Sequence, residues 1–128
     1  MPEPAAKGQP RLRILIAEDH TPTRLAMIKL IREAGGDVTA ARDGEEALGC
    51  LLTQKFDVLL TDLRMPKIDG FELIQQTNNL PDSHRPARII AISGEYEAGA
   101  LTGRAAVQFL SKPFNINALL DMLGGKPN

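Results

Sequence analysis

Four places in the sequence set a charged or hydroxyl residue at or just beyond the end of an aliphatic run. Glu18-Asp19 follows Ile14-Leu15-Ile16-Ala17, Asp62 follows Val58-Leu59-Leu60-Thr61, Ser93 follows Ile89-Ile90-Ala91-Ile92, and Lys112 comes shortly after Val107 to Leu110. Runs of this kind read as strands, and in an open parallel sheet the carboxyl ends of the strands are where ligands sit. Three carboxylates gathered at one such edge would repel by roughly 4 kcal/mol per pair at 4 Å under an effective dielectric near 20. The cluster therefore calls for a cation. Oxygen ligands without histidine or cysteine favour a hard divalent ion, and a site open on one side, with waters retained, suits magnesium best. Lys112 supplies a second, fixed positive charge. A metal, a lysine and a hydroxyl together form a cradle for a phosphoryl group, which carries about −1.5 to −2 charges. Glu18 and Asp19 are adjacent and suited to sharing the metal. Asp62 stands alone at the centre of the sheet and is the expected nucleophile.

The elements that must position these residues alternate between short aliphatic runs and longer segments of helical periodicity, the signature of stacked βαβ units and an α/β fold. The strand candidates are Arg13 to Ala17, Val38 to Ala41, Val58 to Thr61, Arg88 to Ile92 and Val107 to Leu110. Three of them are almost wholly apolar, as expected of parallel strands covered on both faces. The first helix is expected to begin at a Thr21 cap followed by Pro22 and to stop at Gly35-Gly36, with Leu25, Ile28 and Ile31 inward and Arg24, Lys29 and Arg32 facing water. A second runs from an Asp43 cap to about Thr53 and should bury Ala47, Leu48, Leu51 and Leu52. A third follows Gly70 with Phe71 and Ile74 inward. The last lies behind an Asn115 cap, repeats Ile116, Leu119, Leu120 and Leu123 at i, i+3, i+4 and i+7, and ends at Gly124-Gly125. The segment after Ser93 carries Gly94, Gly99 and Gly103, each costing about 1 kcal/mol in a helix interior, so any helix there should be short and marginal, with order that depends on phosphorylation.

Composition narrows the function classes. The chain has 128 residues, 43% hydrophobic and 24% charged, with a net charge of −1, which suits one globular domain able to bury roughly two-thirds of its surface. Lysines and arginines are scattered, and aromatics are confined to four phenylalanines and one tyrosine, so nucleic acid is not an expected ligand. Cys50 is the single cysteine, beside Leu48, Leu51 and Leu52, and reads as buried packing rather than a disulfide or zinc ligand. Residues 1 to 11 hold three prolines and no apolar run, so they read as a flexible lead-in without the core of a signal peptide. No stretch is long enough to span a bilayer. The expected layout is a flexible segment over 1–11, one domain over 12–123 and a tail over 124–128, with no output domain after Gly125.

Taken together the motifs resemble the receiver domains of two-component response regulators over about residues 12 to 123. The likeness rests on four spaced motifs: Ile-Leu-Ile-Ala-Glu18-Asp19, Leu-Leu-Thr-Asp62-Leu-Arg-Met-Pro66-Lys-Ile-Asp-Gly70, Ile-Ala-Ile-Ser93, and Phe109-Leu-Ser-Lys112-Pro113-Phe114. Any one alone would be weak; their order and spacing make the resemblance specific. It implies a doubly wound, flavodoxin-like five-stranded parallel sheet of order 2-1-3-4-5 with helices on both faces. It also implies phosphoryl transfer to Asp62 from a histidine kinase or histidine phosphotransfer protein, in a cytoplasmic switch that changes its affinity for partner proteins. By the same likeness Asp19 would ligate Mg2+ directly and Glu18 largely through water, with Asp62 and the backbone carbonyl of Arg64 completing the protein ligands. Ser93 and Lys112 would hold phosphoryl oxygens, Phe109 would be the aromatic that reorients on activation, and Lys112-Pro113 would be a cis peptide. Glu18 stands where aspartate is commoner and Ser93 where threonine is; both keep the chemistry. The span between Ser93 and Phe109 is a few residues shorter than is typical, and the last helix is short, which bears on the output surface.

Plainer roles stand beside these. Ser93 suits a helix cap as well as a phosphoryl contact, and Phe109 suits core packing as well as a switch. His20 and His84 read as solvated loop residues, Asp69 as a turn residue and Met65-Pro66 as loop packing. Arg64 and Glu95, two positions beyond Asp62 and Ser93, carry opposite charges and could pair across the mouth of the pocket and slow attack by water. A metal-dependent phosphohydrolase is the competing activity, but Arg64 stands where its second acid would be needed. A receiver-like interaction module that takes no phosphate is the other alternative, against which the set of Asp62, Ser93 and Lys112 argues. The expected protein is no enzyme on external substrates and catalyses only its own phosphorylation and dephosphorylation. It is either free-standing or a piece of a larger kinase.

Overall fold

The computed structural model describes residues 11–93, 107–111 and 116–124. Five strands, β1 (Arg13–Ala17), β2 (Asp37–Ala41), β3 (Val58–Asp62), β4 (Arg88–Ser93) and β5 (Val107–Ser111), form one parallel sheet in the order β2-β1-β3-β4-β5. The described helices are α1 (Thr21–Glu33), α2 (Gly44–Thr53), α3 (Gly70–Asn78) and α4 (Ile116–Gly124). The expected sheet order and doubly wound architecture are therefore present.

Strand periodicity divides the core in two. Leu15, Leu59 and Ile89 point to the face covered by Ala47 and Leu51 of α2 and by Leu73 and Ile74 of α3. Ile14, Ile16, Leu60 and Ile90 point to the other, under Met27 and Ile31 of α1 and Leu119 and Leu123 of α4. Successive strand residues face opposite layers, which is why the aliphatic runs show no polar alternation. The register sets Ala17 beside Thr61, Asp62 beside Ile92 and Ser93 beside Ser111, so the carboxyl ends of these strands lie at one edge.

Local chemistry fixes where the helices begin. Asp43 and Asp69 cap α2 and α3, their carboxylates accepting from the Glu46 and Glu72 amides at 2.8 and 2.9 Å. Asp69 is thus a helix cap rather than only a turn residue. At α1 the cap position is His20, not Thr21, and no side chain caps it. Gly35, at φ 101°, ends that helix in the left-handed region that glycine enters without steric cost.

Two leucines expected in the core lie outside it. Leu25 is 57% exposed and Leu52 55%. The buried stripe of α1 is Met27 and Ile31, and Leu25, two positions before Met27, sits about 200° around the helix from it. On α2 the stripe is Gly44, Ala47 and Leu51, and Leu52 lies beyond its edge while Leu48 and Phe71 are half-buried. The expected α4 stripe is seen at Leu119 and Leu123, with Leu120 half-buried. Asn115 and the marginal helix after Ser93 lie outside the described residues.

Candidate acidic site at the carboxyl edge

The strands deliver Glu18, Asp19 and Asp62 to one place. A carboxylate oxygen from each lies within 4.8 Å of the others. Glu18 and Asp62 are only 3% and 4% exposed, whereas Asp19 is open to solvent. Three carboxylates this close together repel one another, an arrangement that a bound cation relieves. The donor set is all oxygen and opens on the Asp19 side, which fits a hard divalent cation that keeps some of its water.

Backbone groups hold the acids in place. The Glu18 amide donates to the Ala41 carbonyl at 3.1 Å, continuing the ladder to β2 beyond the end of β1. The His20 amide donates to Glu18 Oε2 at 3.1 Å, and the Arg64 amide to Asp62 Oδ1 at 3.2 Å. Thr61, fully buried, donates its hydroxyl to the Asp62 carbonyl at 2.8 Å.

Three supporting features escaped the sequence reading. Arg24, expected to face water, is half-buried and donates from Nη1 to the Glu18 carbonyl at 3.0 Å and the Asp19 carbonyl at 3.5 Å, and from Nη2 to Thr21 Oγ1 at 3.3 Å. Its signal was available: a cation in the first turn of a helix opposes the helix dipole and asks for a local reason. Arg32 is exposed as expected, although it also donates to the Val38 carbonyl at 3.4 Å, and Lys29 pairs on the surface with Glu33.

The second feature is steric. A Cβ on Gly70 would meet the Asp62 carbonyl oxygen at 2.2 Å and Leu63 Cα at 2.5 Å, and one on Gly44 would meet the Ile68 carbonyl oxygen at 1.9 Å. The loop between β3 and α3 is therefore pressed against the starts of both α2 and α3. The third is Lys67, in the left-handed region at φ 68°, with Nζ 3.7 Å from Asp43 and 3.5 Å from Glu45. The Glu46 amide bond, followed by Lys67, holds the Asp43 carboxyl below its ordinary range against a smaller opposing effect of burial.

Other expected residues fall as follows. Phe109 is half-buried against the α2–α3 core, and Met65 packs beside the same cluster while Pro66 is exposed. His20 is exposed with Nδ1 2.6 Å from Thr23 Oγ1, and His84 is bonded to Ser83. Cys50 is half-buried, and burial, then Glu46, pushes its thiol pKa up. Of Ser93 only the backbone is described, paired with Ser111 at the end of the sheet. Glu95, Lys112 and Pro113 lie outside the described residues, and with them the expected gate, lysine contact and cis peptide.

Comparison with known proteins decides the family. The family model for the response regulator receiver domain matches residues 14–124. The chain belongs to that family. Among relatives, this receiver domain is 37% identical over 113 residues to the sensor protein EvgS of Escherichia coli K12, covering 85% of the chain but 9% of that protein. It is 35% identical over 114 residues to the response regulator receiver protein CpdR of Brucella abortus, covering 85% of the chain and 91% of CpdR. A crystal structure of a response regulator receiver protein from Pseudomonas putida superposes with a TM-score of 0.81 at 30% identity, covering 91% of this chain and 98% of that one. Relatives thus include both near-full-length matches and proteins many times longer. No helix among the described residues is long and apolar enough to cross a membrane.

Proposed function

We propose that this receiver domain accepts a phosphoryl group on Asp62, with Mg2+ held by Glu18, Asp19, Asp62 and the Arg64 backbone carbonyl. The observation that carries the reading is the convergence of the three carboxylates within 4.8 Å, two of them buried, at the carboxyl ends of β1 and β3. When bound, Mg2+ would neutralise the acids and the incoming phosphoryl oxygens, which makes attack by one anion on another feasible.

The donor is a phosphohistidine of a histidine kinase or a phosphotransfer protein. An oxygen of Asp62 attacks phosphorus, the P–N bond breaks, its electron pair returns to the imidazole, and an acyl phosphate forms. Ser93 and Lys112 then hold phosphoryl oxygens. Phe109, packed against the α2–α3 core, is placed to report the change to the β5 side of the sheet, where the affinity for a downstream protein is altered. The protein works in the cytoplasm and acts on no external substrate; hydrolysis of its own acyl phosphate resets it.

The test is incubation of the protein with a small phosphodonor, followed by intact mass. A single phosphoryl adduct is expected with Mg2+, none with chelator and none in Asp62→Asn. A stable adduct at the wild-type rate in Asp62→Asn, or no effect of chelator, would overturn the reading.

A further inference from the structure

The acidic turn, residues 18 to 20, is tied down on its amide side by two bonds, Glu18 N–H to the Ala41 carbonyl and His20 N–H to Glu18 Oε2, both at 3.1 Å. On its carbonyl side the tie is Arg24, whose one nitrogen reaches the carbonyls of both Glu18 and Asp19 while the other reaches Thr21 Oγ1. Arg24 stands in the first turn of α1, which contains no acidic residue, so its charge meets the positive end of the helix dipole. A charge kept at an unfavourable place, bonded twice to that turn and once to the residue that follows it, has a geometric task.

We propose that Arg24 is a positioning residue for the cation: its guanidinium clamps the Glu18 and Asp19 carbonyls and so aims both carboxylates at Asp62. This rests on the reading of the three acids as a cation site. With both sides of the turn anchored, the Cα–Cβ directions of Glu18 and Asp19 are set relative to β3 before any ion arrives. The planar fork of arginine can reach two carbonyls and a hydroxyl at once, and a lysine ammonium on a flexible stem cannot hold the same geometry.

Charge and geometry predict opposite outcomes, which makes the proposal testable. Were Arg24 only a nearby positive charge, removing it would strengthen cation binding. As a positioning residue, its loss weakens binding even when the charge is kept. Mn2+ binding to the full chain, followed by electron paramagnetic resonance, is compared in wild type, Arg24→Lys and Arg24→Ala, with urea unfolding in chelator to establish that each variant is folded. Both variants should bind roughly tenfold more weakly, as for other groups that orient metal ligands. The amide resonances of Glu18, Asp19 and His20 should shift in the metal-free variants while those of β4 do not. Arg24→Lys keeps the charge and the test alive if Arg24→Ala does not fold. Unchanged or tighter Mn2+ binding in the folded variants would overturn the role of Arg24 alone; failure of wild type to bind Mn2+ would overturn the cation site and this role with it.

Discussion

The two edges of the sheet treat charge in opposite ways. At the amino edge opposite charges and dipoles alternate. The Arg13 amide donates to Asp57 Oδ2 at 2.8 Å, its guanidinium lies 5.4 Å from the centre of the Phe56 ring and 3.9 Å from Asp37, and it donates to Gln54 at 3.2 Å. Arg88, opening β4, donates to the last-turn carbonyls of α4, at 2.5 Å to Met122 and 3.1 Å to Leu123, groups that a helix C-terminus otherwise leaves without partners. At the carboxyl edge like charges converge: Glu18, Asp19 and Asp62 meet within 4.8 Å. The amino-edge contacts join unlike partners and contribute stability. Under the proposed function, the carboxyl edge instead holds like charges together for a cation.

The largest effect should come from disturbing the packing that supports the acids. Gly70→Ala drives a methyl into the Asp62 carbonyl and the Leu63 backbone, where no side chain can move aside. A loss of about 3 kcal/mol is expected, at the upper end for overpacking. The urea midpoint measures it, and a wild-type midpoint would show that the β3–α3 loop is not held as described.

At the amino edge the effect should be smaller and independent of metal. Arg88→Met keeps much of the aliphatic stem but deprives the end of α4 of two charged hydrogen bonds, a loss of about 2 kcal/mol. The unfolding free energy should fall by the same amount with Mg2+ and with chelator. A strong dependence on Mg2+ would mean that the two edges are coupled.

How far the sequence reveals these edges follows from what kind of physics each feature uses. The strands, their order and the gathering of Glu18, Asp19 and Asp62 were legible because apolar runs and the residues at their ends are local patterns, and because spaced motifs supplied the topology. Leu25 and Leu52 misled because an apolar residue near a buried stripe fits a helical period whether or not a partner covers it. Arg24, Gly44 and Lys67 act through contacts with carbonyls and carboxylates on other turns. No periodicity encodes that, although a cation in a first helical turn hinted at it. Asp57, deep in the amino-edge network, had the same lack of local signal.

A smaller effect should be seen at Asp43, where α2 meets the β3–α3 loop. Asp43→Ala should cost about 1 kcal/mol through the lost cap, while Asp43→Asn keeps a capping oxygen and loses the charge. The folded protein holds this carboxyl below its ordinary range, so its ionic contribution is complete above the unfolded value of roughly 4 and is lost as pH falls through the lower folded value. Urea unfolding of wild type and Asp43→Asn should therefore differ at neutral pH and converge in acid. A constant difference across that range would leave the cap geometry, not the charge, as the whole effect.

The contrast between the edges is tested most directly by thermal unfolding of wild type and Asp62→Asn, each in chelator and in Mg2+. Without metal, Asp62→Asn should be the more stable protein, because one of three mutually repelling carboxylates is gone. Saturating Mg2+ should reverse the order by raising wild type, by about 2.7 kcal/mol at a concentration one hundred times the dissociation constant, and raising Asp62→Asn far less. If Mg2+ left wild type unchanged, or if Asp62→Asn were the less stable protein in chelator, the acids would not form a cation site held at the expense of stability.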